Sequence, residues 1–173
     1  LKALQNMMAE ASKPLVIAGG SGWRDEDCAN LASFAKRNHL PVACAFRRQD
    51  LFDHNDKNYA GELGTGPNPD LVAKVKEADV ILALGTRLNE ITTQEYTLFQ
   101  PGQKIIHVYP SAEEFGKAVT PDLAVQSHIG PAVNALAGSV RLDGRKWSDW
   151  RDGLRATYQN WTNIDKGAER KWK

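Results

Sequence analysis

The segment Ala78-Asp-Val-Ile-Leu-Ala-Leu-Gly-Thr-Arg87 contains the most hydrophobic run of the 173-residue sequence. Residues 80–84 have no polar interruption, a pattern typical of a strand that is buried on both faces of a parallel sheet. Gly85 and Thr86 break the run and end the strand. We therefore predict that residues 79–84 form a central strand of an α/β sheet.

Short apolar runs lie on both sides of this segment and alternate with longer helical patterns. The other predicted strands are residues 14–18, 41–46, 59–61, 104–109 and 123–126, and the predicted helices are residues 25–38, 70–78 and 129–137. Parallel strands require a crossover connection, which is usually a helix that covers the sheet. The alternation predicts an α/β fold: a three-layer, six-stranded, mainly parallel sheet with helices on both faces.

The composition is that of one globular domain, with 42% hydrophobic and 25% charged residues. The net charge of +1 argues against a nucleic-acid partner bound through a large cationic face. This total combines a net charge of −3 over residues 1–139 with +4 over residues 140–173. Apolar runs fall far short of the ~20 residues that a membrane span requires, so we predict no membrane partner.

Cys28 and Cys44 are the only cysteines, and they are not in C-x-x-C spacing. Two thiols are too few for a four-thiolate zinc site. We interpret them as buried apolar thiols in a reducing cytosol, which predicts a cytoplasmic protein. The sequence has no signal peptide and no initiator Met, and we interpret it as a piece of a longer protein.

The last part of the sequence is rich in tryptophan, since four of the five tryptophans lie in its final 27 residues. A stripe of large apolar residues recurs there at three- and four-residue spacing, at Trp147, Trp150, Leu154, Tyr158 and Trp161. This spacing predicts a helix over residues 146–163 with one apolar face. Two interpretations stay open: the helix packs on its own domain, or part of the stripe docks on another domain or subunit.

A glycine-rich turn near the N-terminus is a first candidate ligand contact. Gly19-Gly20-Ser21-Gly22 lies between a predicted strand and a helix, where glycines let the backbone approach a phosphate. A standard NAD site is not indicated, because Asp25 stands at the third glycine position and the second strand runs into Arg47 instead of an acid. The turn either lies near another nucleotide or simply reverses the chain.

Gly85-Thr86-Arg87 is a second candidate, at the end of the predicted central strand. It lies beside the point at which the strand order should reverse, where open α/β sheets place their ligands. Arg87 has two candidate partners there, a phosphate or a carboxylate of a neighbouring loop.

Residues that could carry catalysis do not form a recognisable set. The four histidines lack metal-ligand spacing, and we interpret His107, inside a predicted strand, as a hydrogen-bonded core residue. No acid, base and electrophile fall into a known pattern, so we predict no catalytic residue and no metal site in this chain.

Seven segments match a known family in their order and spacing. They are Lys13-Pro-Leu-Val-Ile-Ala-Gly-Gly-Ser-Gly22, Leu40-Pro-Val-Ala43, Tyr59-Ala-Gly-Glu-Leu-Gly64, Ala78-Asp-Val-Ile-Leu-Ala-Leu-Gly-Thr-Arg87, Lys104-Ile-Ile-His107, Glu113-Glu-Phe-Gly-Lys117 and Pro121-Asp-Leu123. Together they resemble the central domain of thiamine-diphosphate-dependent enzymes, a family that includes acetolactate synthase, oxalyl-CoA decarboxylase, benzoylformate decarboxylase and glyoxylate carboligase. The resemblance spans residues 1–138.

This resemblance implies a Rossmann-like (DHS-like) sheet between an upstream pyrimidine-binding domain and a downstream diphosphate-binding domain. Thiamine diphosphate and Mg²⁺ would be bound by these flanking domains, outside this chain, and the parent enzyme would be a homodimer or homotetramer. Leu142-Asp143-Gly144 and Arg151-Asp152-Gly153 lack the first glycine of the downstream domain's G-D-G motif. Residues 139–173 resemble the linker that leads into that domain.

Some members of the family bind FAD or ADP on this domain. By match to their motifs, the contacts would come from Gly19, Gly20, Gly22, Gly85, Thr86 and Arg87. Those members continue the fifth strand as H-I-D-I-D, whereas this sequence reads His107-Val108-Tyr109-Pro110-Ser111. The loss of both acids argues against an adenine nucleotide here.

We therefore expect the non-catalytic central domain of a thiamine-diphosphate-dependent lyase or transferase that decarboxylates or carboligates 2-oxo acids. The chain alone would be inactive. The alternative is a self-standing FAD-, ADP- or CoA-binding module of an electron-transfer or related protein.

Overall fold

Six parallel strands form a single sheet in the computed structural model, which describes residues 1–163. The strands are β1 (Pro14–Ala18), β2 (Val42–Ala45), β3 (Tyr59–Leu63), β4 (Val80–Leu84), β5 (Lys104–Tyr109) and β6 (Leu123–Gln126). Their order across the sheet is β3-β2-β1-β4-β5-β6, and every neighbouring pair is parallel. The predicted α/β sheet is confirmed, and it is parallel throughout.

Helices cover both faces of this sheet. They are α1 (Lys2–Glu10), α2 (Asp25–Arg37), α3 (Pro69–Glu77), α4 (Ile129–Ser139) and α5 (Ser148–Thr162). One hydrophobic cluster lies between the sheet and helices α1, α2 and α4, and a second lies on the other face beneath α3 and α5. The predicted three-layer arrangement is therefore confirmed.

The central strand pair, β1 and β4, shows why the apolar runs become strands. All five residues of each strand are buried, and they pair in register from Pro14↔Val80 to Ala18↔Leu84. Successive side chains point to opposite faces of a strand. Val16 therefore packs in the first cluster and Ile17 in the second, so both faces need apolar residues.

The structure departs from the sequence prediction in its connections. Helix α1 was not predicted, although Leu4 and Met8, which are buried, have the spacing of one helical face. Residues 86–103, between β4 and β5, form turns and not a crossover helix. The predicted strand 41–46 is shorter, at Val42–Ala45, and the predicted strand 59–61 is longer, at Tyr59–Leu63.

Helix α5 packs along strand β3, one of the two edge strands of the sheet. Trp147, just before this helix, belongs to the first hydrophobic cluster, Leu154 belongs to the second, and Tyr158 again contacts the first. Covering an edge strand protects its unpaired backbone groups. The helix thus packs on its own domain, whereas the Trp161 side chain at its end is 58% exposed.

The segment predicted as a linker, residues 139–173, is only partly described. Its last ten residues, 164–173, lie outside the described residues. Within residues 1–163, no helix combines the length and apolar character needed to cross a membrane.

Candidate functional site

The predicted ligand contacts meet at the carboxyl ends of β1 and β4. The chain leaves β1 toward β2 on one side and β4 toward β5 on the other, so the strand order reverses between them. A crevice opens at such a switch point in parallel sheets. Gly19 and Gly20 follow β1 directly and Gly85, Thr86 and Arg87 follow β4, so the structure brings these five residues together.

Two of these glycine turns fit tightly against each other. A Cβ atom on Gly20 would overlap with the carbonyl oxygen of Gly85, and a Cβ atom on Gly85 would lie 2.7 Å from the carbonyl oxygen of Gly19. A Cβ atom on Gly19 would lie 3.0 Å from that of Thr86. The close packing of the two turns accounts for these glycines without a ligand.

Backbone groups in these turns are already hydrogen-bonded. The Gly19 N–H donates to the Leu84 carbonyl at 3.0 Å, and the Gly85 N–H donates to the Val108 carbonyl at 2.9 Å. The Trp23 indole N–H donates to the Gly19 carbonyl at 2.8 Å. The N–H groups of Gly19 and Gly85 are therefore not free to bind a phosphate.

Gly22 has a different environment from the other predicted glycines. It is exposed, its φ is 85°, and a Cβ atom there would meet nothing within 4 Å. It lies between the N-terminal ends of α2 and α4, and it also lines a small cavity together with Gly85 and Tyr109. Of the four predicted glycines, Gly22 is the one with open space around it.

Thr86 is held by His107 of β5, as expected for a hydrogen-bonded core histidine. The His107 ring is 2% exposed, and its Nε2 lies 2.8 Å from the Thr86 carbonyl oxygen, to which it donates. Burial lowers the pKa of His107, so the ring is held in its neutral form. Its Nδ1 is buried without a partner among the described residues.

Arg87 is exposed and contacts residues of its own domain. Its Nε donates to the Tyr109 hydroxyl at 3.0 Å, and the Glu114 carboxylate lies 4.0 Å away. The hydrogen bond to Tyr109, followed by the charge of Glu114, raises the pKa of Arg87. A carboxylate of a neighbouring loop, one of the two predicted kinds of partner, thus lies within ion-pair distance of Arg87.

A cleft of about 310 Å³ lies over these residues. Its polar lining includes Ser21, Arg48, Arg87, Asn89, Thr92 and Tyr109. The guanidinium of Arg48 is already bound by the Asp50 carboxylate through two hydrogen bonds of 3.0 Å. Tyr109 stands where FAD- or ADP-binding members are expected to have an acid, and its hydroxyl is bound by Arg87.

These groups do not fit an adenine nucleotide. Within residues 1–163, the cleft lining contains no carboxylate for ribose hydroxyls, and both of its arginines contact carboxylates or hydroxyls of their own domain. Sequence reasoning missed Asn89 and Thr92 because they belong to the irregular connection after β4. The one sequence feature that could have indicated them is that polar residues follow the end of a central strand, and this feature is common in loops.

The two Asp-Gly pairs near the C-terminus do not fit thiamine diphosphate and its metal. The Asp143 carboxylate accepts a hydrogen bond from Arg145 at 3.0 Å, and the Asp152 carboxylate accepts one from Arg151 at 2.8 Å. Among residues 1–163, no group of three or more His, Cys, Asp or Glu side chains is arranged to hold a metal ion.

Comparison with known proteins identifies the family. A family model described as "Thiamine pyrophosphate enzyme, central domain" matches residues 1–136. The acetolactate synthase of Mycobacterium leprae is 26% identical over 165 residues, which cover 91% of this chain and 26% of that protein. The probable acetolactate synthase large subunit of Methanocaldococcus jannaschii is 29% identical over 161 residues, covering 89% of this chain and 26% of that protein.

Each of these relatives is much longer than the present sequence, and this chain spans about a quarter of their length. The matched region corresponds to the six-stranded sheet and its helices, up to α4. The chain belongs to the central-domain family of thiamine-pyrophosphate enzymes.

Proposed function

We propose that this chain is the non-catalytic part of an enzyme that decarboxylates or carboligates 2-oxo acids with thiamine diphosphate. The observation that carries the proposal is the family match over residues 1–136, together with relatives named acetolactate synthase. When bound, the thiazolium ring of the cofactor would supply the carbanion chemistry. The sheet would hold the flanking domains at a fixed distance from each other.

The cofactor and Mg²⁺ would be bound outside this chain, by the flanking domains of the parent enzyme. The engagement of Asp143 and Asp152 by arginines supports this assignment. We further propose a central domain of residues 1–138 and a connecting segment of residues 139–173, in a homodimeric or homotetrameric, cytoplasmic parent. The two free thiols, Cys28 and Cys44, support a reducing compartment.

Expression of the whole reading frame that contains this chain tests the proposal. We expect the purified parent to release CO₂ from a 2-oxo acid such as pyruvate only when thiamine diphosphate and Mg²⁺ are present. The 173-residue chain alone, assayed in parallel, should give no turnover. A reading frame without a G-D-G motif downstream of Lys173 would contradict the proposal.

The alternative, a self-standing nucleotide-binding module, is not favoured, because the family match and the poor fit of the cleft both oppose it. Ligand binding at Gly19, Gly20, Gly22, Gly85, Thr86 and Arg87 stays a prediction. Calorimetric titration of the chain with FAD, ADP and CoA tests it. Micromolar binding that is lost on the substitution Arg87→Ala would favour the alternative.

A further inference from the structure

A second cavity lies at the edge of the sheet, two strands away from the switch point. It has a volume of about 200 Å³ and lies between β3, the end of α5 and the loop that follows β3. Its walls include His54, Tyr59, Glu62, Asn68, Tyr158 and Trp161. We call it the edge cavity. Neither the family match nor the proposed function assigns it a role.

Three rings in contact form one wall of the edge cavity. The Tyr59 ring is parallel to the His54 ring, with centroids 4.3 Å apart, and meets the Tyr158 ring edge-on at 4.8 Å. Tyr59 is 1% exposed, so burial holds this ring in place, whereas His54 is exposed and Tyr158 is partly buried. Gly61 also lines the cavity, and a Cβ atom there would lie 3.1 Å from the Leu71 side chain and 3.6 Å from the Tyr158 ring.

The rim of the edge cavity carries an exposed aromatic side chain. Trp161 lies in the last turn of α5 and is 58% exposed, one of three large hydrophobic side chains so exposed within residues 1–163. A half-exposed tryptophan beside a cavity of side-chain size is the arrangement found at the anchoring points of protein interfaces. The Trp161 side chain at the rim can therefore pack over a group that enters the cavity.

Among residues 1–163, Glu62 is the one carboxylate that lines the edge cavity, and no Lys or Arg of these residues lines it. The Glu62 Oε2 accepts a hydrogen bond from the Gln49 side chain, whereas its Oε1 has no hydrogen-bond partner among the described residues. A carboxylate beside aromatic faces attracts a cation. The nearby Arg155 guanidinium already lies 5.2 Å above the Tyr158 ring, held by the carbonyls of His54 and Asn55.

We propose that the edge cavity binds the guanidinium of an arginine side chain presented by a partner protein surface. A planar guanidinium stacks on the Trp161 indole and donates to the Glu62 carboxylate, which an ammonium does less well. A volume of about 200 Å³ suits one side chain and is smaller than most small-molecule sites. The occupant is thus a single cationic side chain.

NMR titration of the full 173-residue chain with N-acetyl-arginine amide tests this proposal. We expect saturable shifts at the Trp161 indole and at Glu62, with a dissociation constant of roughly 1 mM. The neutral isostere N-acetyl-citrulline amide should bind at least about 5-fold more weakly, because it lacks the charge. The lysine analogue should bind several-fold more weakly than the arginine probe.

Matched variants separate the site from surface effects. Glu62→Gln and Trp161→Ala should each weaken the arginine probe at least about 5-fold. Glu113→Gln, at an exposed glutamate near β5, and Tyr96→Ala, at a side chain that is 57% exposed, should leave binding unchanged. Dispersed spectra verify that each variant is folded. Equal binding of the citrulline probe, or no saturable shift at Trp161, would overturn the proposal.

Discussion

The carbonyl oxygen of Gly85 fills the space in which a Cβ atom on Gly20 would lie. Both glycines have a positive φ, 74° and 71°, a conformation that glycine adopts readily. They follow the two central strands, so their contact joins the two halves of the sheet where the strand order reverses. The sheet therefore needs glycine at both positions for packing, whether or not a ligand binds.

Substitution Gly20→Ala should destabilise the domain strongly. We expect the free energy of unfolding to fall by at least about 3 kcal/mol, because the added methyl group forces the two turns apart. Gly22→Ala is the matched control, since Gly22 also has a positive φ but nothing lies within 4 Å of its Cβ position. Its cost should be about 1 kcal/mol. Urea denaturation measures both, and equal losses would mean that the turn contact is unimportant.

The central strands were predictable because their sequence pattern is local. Unbroken apolar runs at β1 and β4 reflect burial on both faces, and the bounds of β5 and β6 followed from similar runs. The connection between β4 and β5 was not predictable in this way. There Gln94, Glu95 and Tyr96 all have positive φ, a conformation that their residue types disfavour and that tertiary packing imposes.

The candidate site was predictable only in part, for the same reason. The reversal of strand order beside Gly85 followed from the alternation of strands and helices. The partners of Arg87 did not, because Tyr109 and Glu114 reach it through the folding of a separate strand and loop. Side-chain pairs between distant segments leave no periodic signal in a single sequence.

The buried His107 should make stability depend on pH. Burial lowers its pKa from the usual value near 6.5, so the unfolded chain binds more protons than the folded one below pH 6.5. The resulting contribution to stability is present above pH 6.5 and is lost as the pH falls through the window between the unfolded and folded pKa values. Urea denaturation between pH 8 and pH 5 should show this loss.

His107→Gln removes the titrating ring but keeps an N–H donor that can face the Thr86 carbonyl. We expect this variant to lose about 1 kcal/mol at pH 8 and to depend less on pH below 6.5. Some dependence should remain, because burial also lowers the pKa of His39. His128→Gln, at an exposed side chain, is the control. An unchanged pH dependence in His107→Gln would contradict the role assigned to its burial.

The two cysteines should differ in reactivity. Cys44 in β2 is fully buried, and burial, followed by the charge of Asp50, raises its pKa to about 12. The fraction of thiolate at pH 8 is then about a thousandfold below that of a free cysteine. Burial also raises the pKa of Cys28, which is partly exposed.

In the native chain we expect an aromatic disulfide reagent to label Cys28 slowly and Cys44 only after unfolding. The variants Cys28→Ser and Cys44→Ser each keep one thiol, so they show which cysteine is labelled at which rate. Rapid labelling of native Cys44 would contradict this order.

Helix α5 should unfold together with the sheet. The Trp150 indole N–H donates to the Pro14 carbonyl at the start of β1, at 2.9 Å, and the Trp147 indole N–H donates to the Ala11 carbonyl at 2.8 Å. The ammonium groups of Lys13 and Lys74 lie 5.4 and 5.5 Å from the Trp150 ring centroid. These contacts tie the helix to the first central strand.

Trp150→Phe keeps a ring but leaves the Pro14 carbonyl without its donor, so we expect a loss of about 1–2 kcal/mol in the free energy of unfolding. Trp161→Phe, at a side chain without such a bond among the described residues, should change stability by less than about 0.5 kcal/mol. In hydrogen exchange, the free energy of opening measured for amides of α5 should be nearly the same as that for amides of β1. Exchange of α5 amides at rates close to those of an unfolded chain would mean that the helix is a separable linker, and that the folded unit ends near residue 138.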